Sequence, residues 1–265
     1  MIGTDYHIHT HYVGCANETM TIPAILARCR ETGRTSIAIT DHCDKDWQLE
    51  KNRLIRDELE RTDPGGIEVF FGCEINIQNL DAEFTLDQDG KRRERFELVV
   101  AGVHSTWFED GKATLPQIIE RQNELMCKVA SDPVVDVLVH PWWFPRAQIQ
   151  SLLSAGFTST SLIPDELTRE LAKACLDHNT AVELNAAAIL MNPVYPDSFK
   201  RSYKDYMARF VELGCLIALS SDAHDLRHLD GIVAGEAMLE EIRIPETQVW
   251  RPSTPAAVTG SSLNK

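Results

Sequence analysis

Asp5-Tyr6-His7-Ile8-His9-Thr10-His11 follows the short apolar start of the chain, and its reading governs everything after it. In a β-strand the period of two sends His7 and His9 to one side. Two imidazoles on one side make half a metal site. Taken alone, the pair is equally compatible with a solvated histidine cluster or with a core histidine holding one hydrogen bond. What separates these readings is where the other polar residues of the chain fall.

Working outward, Ile22 to Cys29 has the pattern of a helix with Pro in its first turn, and Gly33 is placed to stop it. Ser36-Ile37-Ala38-Ile39-Thr40 is the next strand and runs into Asp41-His42. The charged segment from Lys45 to Arg61 is helical in pattern, Asp63-Pro64-Gly65-Gly66 is a loop, and the strand Ile67 to Cys73 delivers Glu74. From 79 to 95 the rhythm breaks; the turn signal Asp87-Gln88-Asp89-Gly90 suggests a hairpin insertion there. Strand Phe96 to Val103 then leads to His104, and a helix follows from Leu115 to Ser131. The β-branched run Val134 to Val139 ends at His140-Pro141, where Pro141 favours extended backbone at His140. Asp165 to His178 is helical, Thr180 to Asn185 is a sixth strand, and Tyr203 to Leu213 is a helix closed by Gly214. Cys215 to Leu219 leads into Ser220-Ser221-Asp222-Ala223-His224, and a last helix covers about Gly231 to Ile242.

Seven strands alternating with helices call for a parallel sheet, and closing that sheet into a barrel gathers the C-terminal strand ends on one face. His7, His9, His42, Glu74, His104, His140, Asp222 and His224 all fall at or just past strand ends. That agreement is what turns the His-x-His into a metal site. The expected architecture is a single α/β domain over 1–250, with the insertion at about 79–95 and a loose tail over 251–265, where Pro, Ser, Thr and Ala dominate.

The chain has 40 Asp and Glu against 26 Lys and Arg, a formal charge of −14. This disfavours capture of long nucleic acids or anionic membrane surfaces and suits a small substrate. The start lacks a signal-peptide pattern and no apolar run is long enough to cross a bilayer, so a cytoplasmic protein is expected. Seven scattered cysteines without a Cys-x-x-Cys pair argue against a disulfide framework or a structural zinc knuckle, and most read as small core residues.

His, Asp and Glu suit zinc, manganese or iron, and a carboxylate such as Glu74 can bridge two cations. More than four ligands implies more than one ion. Two ions about 3.5 to 4 Å apart acidify a shared water and clamp a phosphoryl group, so no Ser or Cys nucleophile is required.

The ordered set His7-Ile8-His9, Thr40-Asp41-His42, Gly72-Cys73-Glu74, His104, His140-Pro141 and Ser221-Asp222-Ala223-His224 resembles the PHP family, named for polymerase and histidinol phosphatase, from the start of the chain to about residue 240. The resemblance implies a distorted (β/α)7 TIM-like barrel with a trinuclear metal centre at the C-terminal ends of its strands. It puts one metal on His7, His9, Glu74 and Asp222, and a second on Glu74, His104 and His140. The third would take His42 and His224 with a ligand shortly after the His-x-His, where relatives carry His, Asp or Glu and this chain has Cys15. A thiolate binds zinc well, but Cys15 reads equally as a small buried residue, which leaves two or three divalent ions (Zn, Mn or Fe). Glu74, Asp222 and His224 are the catalytic ligands on this reading.

Around that set, Asp41 is a candidate acceptor orienting a ligand histidine, or a cap for the following segment. Glu183 and Asn185 share one side of their strand, with Asn185 the candidate for substrate contact. Trp142-Trp143-Phe144 are candidates for the pocket wall, against the alternative of packing. Arg146, Arg201 and Arg227 follow ligand strands closely enough to offer a phosphate fork. His178 reads as a helix C-cap and His228 as an ordinary loop residue.

The expected activity is hydrolysis of a small phosphomonoester, histidinol-phosphate-like, by a metal-bridging hydroxide. The rivals are a nucleotide or oligonucleotide phosphodiesterase, a non-catalytic metal-binding module, and an amidohydrolase-like C–N hydrolase.

Overall fold

The computed structural model describes residues 2–105, 108 and 112–253. Seven strands follow one another around a single parallel sheet in chain order: β1 (Thr4–Ile8), β2 (Ser36–Ile39), β3 (Glu68–Asn76), β4 (Leu98–Gly102), β5 (Val137–Leu138), β6 (Ala181–Asn185) and β7 (Ile217–Ser220). The ring closes just beyond β7. The backbone N–H of Asp222 donates to the carbonyl of His7 at 2.8 Å, and that of His9 donates to Ala223 at 3.1 Å. The result is a nearly closed, distorted (β/α)7 barrel.

Among the described residues eight α-helices clothe it: α1 (Ile22–Glu31), α2 (Asp46–Leu59), α3 (Gln88–Glu94), α4 (Leu115–Ser131), α5 (Arg146–Ser154), α6 (Asp165–His178), α7 (Asp197–Glu212) and α8 (Ile232–Glu241). Local chemistry sets their ends. Thr21 caps α1 by accepting from the N–H of Ala24, and Pro23 occupies its first turn. The α6 helix opens with Asp165 and Glu166 and stops at Asn179 in left-handed backbone. None among the described residues is long and apolar enough to cross a membrane.

Three sequence expectations change here. The 79–95 stretch contains a helix, α3, in place of the hairpin: Asp87 accepts from the N–H of Gly90 at 2.7 Å, so the apparent turn signal is a helix cap. His140 sits at φ +32° and not in extended backbone. Its N–H is held at 2.6 Å by Oε2 of Glu183, which outweighs the preference imposed by Pro141. His7 and Glu74 lie within β1 and β3, whereas His42, His104, His140, Asp222 and His224 follow the ends of their strands. Of the expected tail, residues 254–265 lie outside the described residues.

The barrel interior is layered. Tyr6, Phe70 and Trp250 plug its lower part, with Tyr6 set edge-on to Trp250 at 5.4 Å. Trp250 arrives there because the segment after α8 folds back and its N–H donates to Ile217. The polar residues form the layer above. Tyr6 and His7 are consecutive yet serve adjacent layers of one interior. A register shift between Asp5 and Ile8 permits this, a bulge re-aiming side chains beside a site.

Candidate metal centre

His7 and His9 arrive from β1, His42 from the β2 end, Glu74 from β3, His104 and His140 from the ends of β4 and β5, and Asp222 and His224 from the β7 end. Their donor atoms fall into three groups, each with members within 4.8 Å of one another: His7, His9 and Asp222; Glu74, His104 and His140; and His9, Cys15, His42 and His224. Glu74 joins the groups. Its Oε2 lies 3.4, 3.3 and 3.0 Å from nitrogens of His7, His9 and His42, while Oε1 lies 3.3 Å from both His104 and His140.

The geometry is that of donors aimed at cations. Nδ1 of His7 donates to Oε1 of Glu183 at 2.8 Å, which leaves the Nε2 lone pair facing Oε2 of Glu74 and, at 3.0 Å, Nε2 of His9. Nε2 of His104 meets Nε2 of His140 at 3.1 Å. Nδ1 of His224 donates to the Asp222 carbonyl at 3.1 Å, freeing its Nε2. Nδ1 of His42 is buried without a hydrogen-bond partner although Glu74 is close. Lone pairs facing lone pairs and carboxylates in a buried layer repel unless positive charge lies between them. The residues present therefore fit divalent ions.

The protonation pattern agrees. Burial alone would lower His7, but Asp222, Glu183 and Glu74 raise it well above the ordinary histidine value. His9 is raised likewise by Asp222, Cys15 and Glu74 against its burial. Burial lowers His42 and His224 to about 4. Glu74, which burial alone would raise, is held well below the usual carboxylate range by the surrounding imidazoles, led by His42 and His7.

The backbone is strained at this layer. Besides His140, Trp142 and Asp222 adopt φ of +67° and +55°. Gly102 is required beside His140: a Cβ there would lie 2.7 Å from Cε1 of that ring and 2.9 Å from Cγ2 of Val139.

Over the cluster opens a pocket of about 380 Å³. Besides ligand residues it is lined by Trp143, Ala187, Ala188 and His228. The two alanines belong to a π-helical turn, Ala186–Leu190, directly after β6. Trp143 packs edge-on to His104 at 5.0 Å, while Trp142 and Phe144 are core.

Other sequence candidates fall elsewhere. Asn185 is fully buried; its amide donates to Glu183 at 2.9 Å and to Asp222 at 3.3 Å, and its oxygen caps Ala188. It therefore supports the carboxylates in place of reaching into the pocket. Arg146 and Arg201 are exposed on α5 and α7, and Arg227 is 86% exposed and paired with Asp225. No arginine or lysine lines the pocket among the described residues. Asp41 neither orients a histidine nor caps a helix; it accepts from the N–H and hydroxyl of Thr10. Cys15 is exposed, not a small buried residue, with Sγ 3.7 Å from Nδ1 of His9. Sequence reasoning left the role of Glu183 open and passed over His228. Alternation along β6 signals the first, whereas nothing local signals the second.

Comparison with known proteins follows the geometry. The family model for the PHP domain matches residues 5–187. A probable phosphatase of Proteus mirabilis (strain HI4320) is 22% identical over 252 residues, 93% of this chain and 89% of the relative. The solved histidinol phosphate phosphatase of Lactococcus lactis, complexed with zinc, L-histidinol and phosphate, superposes with a TM-score of 0.64 at 16% identity, over 92% of this chain and 94% of that one. A Listeria monocytogenes structure gives 0.62 at 12% identity, over 85% and 96%. These likenesses are of fold.

Proposed function

The chain belongs to the PHP domain family, and from that premise we propose that it is a metal-dependent hydrolase of phosphoric ester bonds whose substrate is a small phosphomonoester, histidinol-phosphate-like in class. The observation that carries the reading is the division of Glu74, one oxygen facing His7, His9 and His42 and the other facing His104 and His140. A carboxylate so placed bridges two cation sites.

On this reading His7, His9, Glu74 and Asp222 hold one ion, Glu74, His104 and His140 a second, and His42, His224 and Cys15 a third, with zinc favoured by the thiolate and imidazole donors. Divalent ions there acidify water and neutralise the charge of a phosphoryl group. The protein's own part is to orient and exclude. Glu183 keeps the proton of His7 on Nδ1, and the Asp222 carbonyl keeps that of His224 on Nδ1. Trp143, Ala187 and Ala188 wall the space left for the ester's organic group. The net charge of −14 and a pocket that no lysine or arginine lines among the described residues speak for a compact substrate over an oligonucleotide.

The test is phosphate release by the metal-reconstituted protein across phosphomonoesters, nucleotides and an aryl phosphodiester, with His7→Ala as control. Release from a monoester that vanishes in the variant is expected. A fully metal-loaded wild type that releases none overturns the reading.

A further inference from the structure

A phosphoryl group presents oxygens that need donors as well as cations, and the three arginines that sequence proximity offered all lie outside the pocket. Outside the cluster two residues with a side-chain nitrogen donor line it, Trp143, whose ring packs edge-on to His104, and His228. Asp225 caps the short 3-10 turn Leu226–Gly231 that carries this residue, accepting from the N–H of Arg227 at 3.0 Å. The N–H of His228 in turn donates to the Asp225 carbonyl at 2.8 Å. The ring is then fixed from the other side, because Nδ1 of His228 accepts the backbone N–H of His224 at 3.4 Å. An imidazole nitrogen that accepts carries no hydrogen, so this hydrogen bond leaves Nε2 as the N–H of the ring.

We propose that His228 is the hydrogen-bond donor to the phosphoryl group in this site, its Nε2–H meeting a non-bridging oxygen of the bound phosphomonoester. This rests on the phosphoesterase reading and adds the residue that recognises the anion. A single imidazole N–H in place of a guanidinium fork has a consequence for substrate class. Among the described residues no lysine or arginine lines the pocket, so a second phosphate on the substrate finds no side-chain ammonium or guanidinium there.

Binding of inorganic phosphate to the zinc-loaded full chain, measured by calorimetry beside the zinc content, tests this in wild type, His228→Leu and His228→Gln. The Gln amide restores an N–H near the position of Nε2. Loss of about tenfold or more in phosphate affinity is expected for the Leu variant, as for a hydrogen bond to a charged group. The Gln variant should stay within about threefold of wild type by the same reasoning, both with unchanged zinc. In turnover, the Leu variant should raise KM more than it lowers kcat. Phosphate affinity unchanged in the Leu variant, equal loss in both variants, or zinc lost from both would overturn the proposal. Zinc loss would mean that His228 only supports the His224 loop. A wild type that binds phosphate but hydrolyses no ester would sink the phosphoesterase reading, while the Leu and Gln comparison still judged His228.

Discussion

Oε1 of Glu183 lies 2.8 Å from Nδ1 of His7, while its other oxygen holds the backbone N–H of His140 at 2.6 Å. One buried carboxylate thus fixes the ring of one candidate ligand and the strained backbone of another. Replacing Glu183 with Gln keeps the volume and removes the charge. Zinc affinity, read by competition with a chelator, should fall about 10- to 100-fold, as for other carboxylate partners of ligand histidines. Wild-type affinity in that variant would contradict the assigned role.

Metal uptake should release protons. Asp222, Glu183 and Glu74 raise His7 against its burial, and Asp222, Cys15 and Glu74 raise His9, so in the metal-free protein protons compete for the nitrogens of this pair. A metal must displace those protons, so affinity weakens as pH falls. Zinc titrations at pH 7 in buffers of different ionisation enthalpy measure the release directly, and a heat independent of buffer would refute it.

Gly102→Ala places a methyl group against His140 and Val139. The ring must shift from its place beside Glu74 and His104, so zinc stoichiometry should drop. Stability should fall by about 1–3 kcal/mol, the usual cost of overpacking. Metal analysis and urea denaturation on one preparation report both.

Beneath the site, Arg34 and Glu236 form a buried ion pair at 2.8 Å, and Glu236 also accepts from the N–H groups of Ile2 and Gly3. Burial would raise the Glu236 carboxyl, but Arg34 and the two N–H groups hold it below its ordinary value. A depressed folded value means the stabilisation is fully present above the unfolded pKa, near 4.5, and is lost as pH falls through the folded one. Glu236→Ala should cost about 3–5 kcal/mol at pH 7, as for breaking other buried pairs. The cost should shrink on acidification below about pH 4.5; denaturation curves at pH 7, 5 and 3 would show it, and a constant difference would exclude it.

The strand order and the gathering of His7, His9, Glu74, His104, His140, Asp222 and His224 on one face were legible because apolar runs ending in a polar ligand type mark strand ends. What sequence missed depends on direction through space. Arg146, Arg201 and Arg227 are near ligand strands in the chain, yet exposed faces of α5, α7 and the turn after His224 carry them away from the pocket. His228 belongs to the same turn as Arg227 and points the other way, a distinction no linear spacing contains. Asp87 to Gly90 shows the ambiguity of short polar runs, since one set of residues suits a hairpin turn and a helix cap.

The seam of the barrel and the candidate metal centre are the same place: Asp222 donates to His7 there, and the N–H of Ser221 reaches Oδ1 of Asp5 across 216 positions of the chain. A ribosome makes His7 and His9 long before Asp222 and His224. Until β7 has been synthesised and docked, His7 and His9 lack a partner wall, and a premature stop before it yields a protein with most of the histidines and no closed cage. The two donor groups that contain Asp222 and His224 are therefore completed only when β7 docks against β1, while Glu74, His104 and His140 are already assembled by β3 to β5.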